Sequence, residues 1–496
     1  MDFQGARICT KTLTLGSSLL AAVASGAAAA DAGAQSAPSG SAASSTSAEA
    51  ALGASTGPKP DTGIPLRGWM FYPSFLSGAV FTDNLYQLPK KRIAGVGFRV
   101  SPSLQGFLDN GLHRSTLYFM ADVLVYPGQG GLTAFTPTPT NYNTPTNVSG
   151  QVGFSHIWSP REDLAFSVDV DYTRQNGVIG PGYVGSPKMV NIPSTGVVSN
   201  TPQFTNQYTA YMSAEKKFAD RWFVRGTTGA QYLAYDSRPS EPYLSTWLYG
   251  ANFFRASDGL AYMASLRGGY WLTPQVYGFI EPSANSRFYQ NSFLDTNGYR
   301  IIAGLGSDMI GLFRGEIYGG YQQQMRSQGY FDPTSSPAFG ARIFYYPTRY
   351  IKVTASVDQP LSSGLNKPAI AFGFPVWSAL HRGVAASISR TLIVRLQADY
   401  ALSEYWTAYV RGGYGESRYS NPPDLQTQWA ARAGLIYNLW RNVAVTMEYQ
   451  VTKTSSNSTS NWWALTGTNW SKALFWNGAS SGYTQNSLSA GLTYTY

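Results

Sequence analysis

The chain has 496 residues, of which only 13% are charged, while Gly (51), Tyr (34), Phe (25) and Trp (13) are abundant. Mean hydropathy is −0.18 and past residue 30 no run of 18 apolar residues occurs, which excludes a bundle of membrane helices. The formal net charge of +9 falls to +8 once residues 1–30, which carry net +1, are set aside; the cations stand singly, with no run longer than Lys90-Lys91-Arg92, which argues against a nucleic-acid partner.

Residues 1–30 read as a secretory signal. Arg7 and Lys11 form a positive start, Leu13 to Val23 an apolar core, and Ala27-Ala28-Ala29-Ala30 a small-residue cleavage site. The single cysteine, Cys9, leaves with that segment, so the mature chain has neither disulfide nor thiol chemistry. Residues 31–65 are rich in Ala, Ser, Gly and Pro, the composition of a flexible linker that buries too little to fold.

From Leu66 to Tyr496 the texture repeats: an alternating segment, a short turn, another alternating segment, a longer polar loop. Short turns are predicted at Ser159–Asp163, Phe218–Arg221, Leu272–Pro274, Pro347–Arg349 and Leu402–Glu404, where Pro, Asp, Ser and Thr favour tight reversals. Loops are predicted at about 127–148, 176–205, 237–257, 360–381 and 455–484. Within the segments, parity is strict. Leu164, Phe166, Val168, Val170 and Tyr172 oppose Ser167, Asp169, Asp171 and Thr173, and Ile351, Val353, Ala355 and Val357 oppose Lys352, Thr354, Ser356 and Asp358. These segments are about ten or more residues long, enough to cross a membrane as tilted strands and longer than the five or six usual in soluble sheets.

The last ten residues sharpen this pattern. Leu488, Ala490, Leu492, Tyr494 and Tyr496 lie on one face and Ser487, Ser489, Gly491, Thr493 and Thr495 on the other. This segment resembles the closing strand of bacterial outer-membrane barrels, whose assembly signal runs polar, any, Gly, any, any, apolar, any, apolar. Ser489, Gly491, Tyr494 and Tyr496 match its fixed positions. The expected fold is therefore all-β: a transmembrane antiparallel up-and-down β-barrel of about 18 strands, with 16 the alternative. Short periplasmic turns would sit at one end and long extracellular loops at the other. Closure requires the strand beginning at Trp69 to pair with the carboxy-terminal one.

The segments Gly68-Trp-Met-Phe-Tyr-Pro-Ser-Phe75, Asp83-Asn-Leu-Tyr86, Gly315-Glu-Ile-Tyr-Gly-Gly-Tyr-Gln-Gln323 and Gly340-Ala-Arg-Ile-Phe-Tyr-Tyr-Pro-Thr-Arg349 resemble the β-barrel porin 2 family of Gram-negative bacteria. The resemblance spans most of Leu66–Tyr496 and implies the fold. Members are often encoded beside exopolysaccharide or capsule export machinery, which brings polysaccharide in as a candidate solute by analogy. It transfers no residue role.

Charged residues on the polar faces are the candidate lumen lining: Asp169, Asp171, Arg225, Arg314, Glu316, Lys352, Asp358, Arg395, Asp399, Arg432 and Glu448. The mixture of signs argues against a strongly selective filter; equally, such groups could only pair across strands and fill the interior. Trp462, Trp463, Trp470 and Trp476 lie in one loop and form a candidate glycan-stacking surface, with a headgroup-zone anchor as the plainer reading. Trp158, Trp222, Trp271 and Trp406 sit at short-turn ends, where an aromatic girdle is expected. His113, His156 and His381 stand apart without metal-ligand spacing, and no G-x-S-x-G elbow occurs. Neither enzyme nor cofactor is expected; His156 or His381 brought beside a Ser or Asp at the rim would be the contrary sign. The partners expected are outer-membrane lipid, the barrel-assembly machinery and small hydrophilic solutes or polysaccharide. Function reads as passive passage across the outer membrane, against a non-conducting structural or anchoring barrel of an envelope or exopolysaccharide assembly.

Overall fold

A computed structural model describes residues 63–85, 92, 94–127, 131–132, 139–140, 146–176, 204–218, 221–235, 259–289, 295–326, 333–364, 387–420, 423–456 and 483–496. The expected signal at 1–30 with Cys9, nearly all of the expected linker at 31–65, His381 and the four tryptophans from Trp462 to Trp476 lie outside the described residues.

The alternating segments form eighteen long strands. In chain order they are β1 (Trp69–Thr82), β2 (Gly95–Asp109), β3 (His113–Val125), β4 (Thr146–Arg161), β5 (Leu164–Asn176) and β6 (Phe204–Phe218). Next come β7 (Trp222–Tyr235), β8 (Gly259–Thr273), β9 (Val276–Tyr289), β10 (Thr296–Ile310), β11 (Phe313–Arg326) and β12 (Thr334–Thr348). The last six are β13 (Ile351–Asp358), β14 (Ser387–Ala401), β15 (Trp406–Ser420), β16 (Pro423–Trp440), β17 (Val443–Ser456) and β18 (Tyr483–Thr495). No helix occurs among the described residues. Each strand pairs antiparallel with its chain neighbours, and Ser74–Thr82 of β1 pairs with Ser487–Thr495 of β18. The sheet is thus a closed 18-stranded antiparallel barrel, in which none of the eighteen long strands is left as an edge. A three-residue strand, Ile64–Leu66, folds back on Trp69–Phe71, so pairing begins just before residue 66.

One end carries short reversals, such as Glu162–Asp163, Gly311–Leu312 and Arg441–Asn442. Gly311 adopts φ +59°, a left-handed conformation that suits glycine in so short a turn. At the 162–163 turn, Lys216 of the next hairpin donates to the Asp163 carboxylate while the Lys217 amide donates to its carbonyl. The lysine hydrogen bond holds the Asp163 carboxyl below its ordinary range. Opposite ends of the strands are joined by long segments such as 177–203, 236–258 and 457–482, but β15 and β16 by residues 421–422 alone. The far end is therefore not uniformly long-looped.

Strand β13 is extended by Leu361–Gly364, which also pairs with β14 beyond an interruption at Gln359-Pro360. Proline offers no N–H to the ladder, and the gap is bridged by a side chain. The Gln322 amide donates to the Gln359 carbonyl (2.6 Å) and accepts from the Leu361 amide (3.2 Å), so the buried backbone groups stay bonded.

The two faces separate by parity. Exposed apolar side chains such as Phe98, Met212, Ile280, Leu305, Val410, Met447, Leu488 and Leu492 define the outer face. Trp158, Trp222 and Trp406 join it near the short turns, as a girdle requires. Trp271 does not. It falls on the inner parity of β8, where the register shifts between Trp271 and Thr273, and packs with Tyr277 and Tyr318 on an inner cluster of Phe223, Phe279, Ile302 and Ala338. Gly269 makes room for the Phe223 ring in that cluster. The girdle expectation is corrected at this one tryptophan.

Candidate functional site

The inner wall is organised by a motif repeated four times. Tyr118 faces Gly153 on the next strand, and Gly153 faces Asp171 on the one after. The same rung recurs as Tyr277–Gly306–Glu316, Tyr318–Gly340–Asp358 and Tyr409–Gly434–Glu448. In each, the tyrosine ring lies across the glycine, and a Cβ there would overlap it. The hydroxyl then donates to the carboxylate two strands away, at 2.9, 3.1, 2.6 and 2.6 Å respectively. Adjacent strands are about 4.8 Å apart, so two steps exceed the reach of a carboxylate alone but suit a tyrosine laid flat on a residue without a side chain. A hydrogen bond to a charged group contributes about 1.5–3 kcal/mol, so four rungs fix register as well as polarity.

Arginines meet several inner carboxylates, three of the rung acids among them. Arg99 contacts Asp122 at 2.6 Å, Arg225 contacts Glu215 at 2.7 Å, and Arg300 approaches Asp358 at 3.7 Å. Arg267 bridges Glu281 (2.5 Å) and Glu316 (2.8 Å) while stacking on Phe279, and Arg432 lies 3.5 Å from Glu448. The contacts from β8 to β11 and from β10 to β13 skip strands, as is natural on the concave side of a closed sheet.

The eleven candidate lumen residues all fall on the inner parity, but they play unlike parts. Asp171, Arg225, Glu316, Asp358, Arg432 and Glu448 belong to rungs or ion pairs. Asp399 accepts from Gln397 (2.7 Å) and faces Lys352 in register, while the Lys352 ammonium lies over the Phe344 ring. Arg314 and Arg395 are exposed, and Asp169 stands two residues from Asp171 on the same face. Arg99, Asp122, Glu215, Arg267, Glu281, Arg300 and Arg411 also line this face and were not among the candidates. Their parity was readable, but only the register shows which of them meet. At the closing strand, Gly491 lies opposite Gly78 and Thr446, and Tyr494 and Tyr496 are exposed on the outer face.

His156 does meet a serine. Its Nδ1 is 2.7 Å from Ser115 Oγ, and its Nε2 is 3.4 Å from His113 Nδ1. The group lies on the outer face in a stack with Phe154 and Trp158, and Ser115 is only 3% exposed. A hydroxyl so covered is poorly placed to attack a substrate; the contact instead satisfies polar groups inside the aromatic belt. Among the described residues, no three His, Cys, Asp or Glu side chains stand together as metal ligands.

Solved structures that align with the chain include the siderophore receptor PirA from Acinetobacter baumannii, at 7% identity and TM-score 0.40, covering 88% of this chain and 81% of that one. A mutant of the ferric enterobactin receptor PfeA from Pseudomonas aeruginosa aligns at 8% identity and TM-score 0.37, covering 86% and 80%. The outer membrane protein opdK from the same organism aligns at 9% identity and TM-score 0.36, covering 86% and 99%. No curated protein matches the chain. The family model described as Putative beta-barrel porin 2 matches residues 58–465, more than four-fifths of the sequence, and the chain belongs to that family.

Proposed function

We propose that this chain is an outer-membrane porin of a Gram-negative bacterium that gives passive passage to hydrophilic solutes, with polysaccharide chains the larger candidates. The observation that carries the reading is the contrast between faces. The outer surface is lined by exposed apolar and aromatic side chains, whereas the inner wall holds rungs, ion pairs and exposed cations such as Arg395. Burying so many charges against a dry interior would be costly, while a water-filled lumen solvates those left unpaired. The second reading, a non-conducting structural or anchoring barrel, draws on the apolar inner cluster around Phe223 and Phe279, which thickens the wall near the short turns. Planar-bilayer recording of residues 31–496 separates the two. Steady unit currents that grow with salt concentration are expected. A correctly folded, heat-modifiable barrel that stays silent would favour the structural reading.

A further inference from the structure

Lipid offers little to an imidazole, yet the outer face of β3 and β4 carries two of them side by side at the short-turn end. His113 lies opposite Trp158 and Ser115 opposite His156, so the two histidines are diagonal neighbours across the ladder. Both are half-buried, in the aromatic belt beside Phe154 and Trp158. The backbone beneath them is held in place. The His113 amide donates to Asn110 Oδ1 at 2.7 Å, and the Asn110 amide donates to the His113 carbonyl at 3.1 Å. The Ser159 amide donates to the Leu112 carbonyl at 2.8 Å, which ties the turn before β3 to β4.

His113 Nδ1 and His156 Nε2 stand 3.4 Å apart. The ring centroids are 5.4 Å apart, so these two nitrogens lie between the rings rather than at their far edges. A good hydrogen bond spans about 2.7–3.2 Å between heavy atoms, and this gap is longer. It matches the spacing of two ligands on one tetrahedral ion: bonds of about 2.0–2.1 Å at the tetrahedral angle set their nitrogens about 3.3–3.4 Å apart. The terminal torsion of histidine is broad, so a modest turn of either ring aims both lone pairs at a shared ion. The outer hydrogen bond of such a site is also in place. With the proton on Nδ1, His156 donates to Ser115 Oγ at 2.7 Å and Nε2 turns its lone pair toward His113. Metal-bound imidazoles are commonly oriented in this way.

We propose that His113 and His156 hold a divalent transition-metal ion at the short-turn rim of the outer face, with Ser115 as a positioning residue. The ion belongs to the class that imidazole suits, Zn²⁺ foremost. Two protein ligands leave two tetrahedral positions to water, so the ion binds less tightly than at zinc sites with three or four protein ligands and exchanges readily. It ties β3 to β4, which are neighbours in the sheet but are joined in the chain by residues 126–145. The pair is preformed only in the folded barrel, so the ion stabilises that state increasingly as its concentration exceeds its dissociation constant. The site stands apart from the lumen and holds whether or not the barrel conducts.

The test takes the untagged chain extracted from membranes, strips it with a chelator and titrates it with Zn²⁺ in a calorimeter. The expected result is one Zn²⁺ per barrel and a urea midpoint that rises with Zn²⁺, with both effects lost in His113→Ala and in His156→Ala. Ser115→Ala should bind about tenfold more weakly, since removing an outer partner costs roughly 10–100-fold in affinity. Ser115→Thr keeps the hydroxyl and should restore binding, and His381→Ala should bind as the wild type does. Each variant is first shown to be heat-modifiable, and if one histidine variant does not fold the other decides the matter. A folded wild type that takes up no Zn²⁺ would overturn the site. Uptake that persists undiminished in a folded histidine variant would place the ion on other side chains and overturn it as well.

Discussion

Gly434→Val is expected to destabilise the barrel by about 3–5 kcal/mol, through overpacking and a lost hydrogen bond to a charged group. The valine side chain would occupy the space in which the Tyr409 ring lies flat, forcing the ring off the wall. The Tyr409 hydroxyl would then lose Glu448, now 2.6 Å away, and leave that carboxylate with Arg432 at 3.5 Å. Intrinsic strand preference works the other way, since valine is favoured over glycine in strands, but that scale spans only about 1 kcal/mol. A net loss would therefore be the signature of the rung. The check is the urea midpoint of the vesicle-inserted barrel. Tyr409→Ala in the same background should recover part of the loss, because the overlap disappears. An unchanged midpoint for Gly434→Val would mean that the ring can leave without cost.

The second large effect concerns assembly rather than stability. Tyr496 is 51% exposed on the outer face, at the short-turn end, and its amide donates to the Pro73 carbonyl across the closing seam. A charge on the lipid face costs about 2–4 kcal/mol at the bilayer midplane but only about 0–1 near the interface. Thermodynamics alone thus predicts little harm from Tyr496→Asp, and refolding of the purified variant into detergent should proceed. In cells, however, the variant should be largely absent from the outer membrane if Gly491, Tyr494 and Tyr496 form the signal read by the assembly machinery. Wild-type levels of heat-modifiable barrel in cells would show that they do not.

Much of this architecture is legible in one sequence because a β-barrel writes its faces with a period of two. Trp222–Tyr235 has the observed bounds, and the parity of Leu164–Tyr172 and of Ile351–Val357 matches the structure, because turn residues and alternation are local signals. Other features were hidden for reasons that are equally physical. The strand at Thr334 begins five residues before the alternation starting at Phe339 suggests, since Ser335, Ser336 and Pro337 disguise it. Trp271 shares its parity with Arg267 and Gly269 and so faces inward, which its place at a short-turn end alone does not reveal. The rungs join residues such as Tyr118 and Asp171, 53 apart in sequence, and exist only once three strands are in register. The glycine pairs Gly319-Gly320 and Gly412-Gly413 attract the eye, yet the glycines beneath the tyrosines are the isolated Gly153, Gly306, Gly340 and Gly434.

The central claim is that the inner face lines a water-filled passage while the outer face meets lipid. Beyond Cys9 the sequence has no cysteine, so single cysteines introduced into residues 31–496 report cleanly on each face. Arg395 is exposed on the inner face of β14, and its neighbour Leu396 is 55% exposed on the outer one. The decisive measurement adds a charged, membrane-impermeant methanethiosulfonate reagent to bilayer-inserted Arg395→Cys and Leu396→Cys during recording. The expected result is rapid modification with a stepwise change in unit current for Arg395→Cys, and no reaction for Leu396→Cys. Equal labelling of both, or protection of Arg395→Cys in a folded barrel, would contradict an open polar lumen.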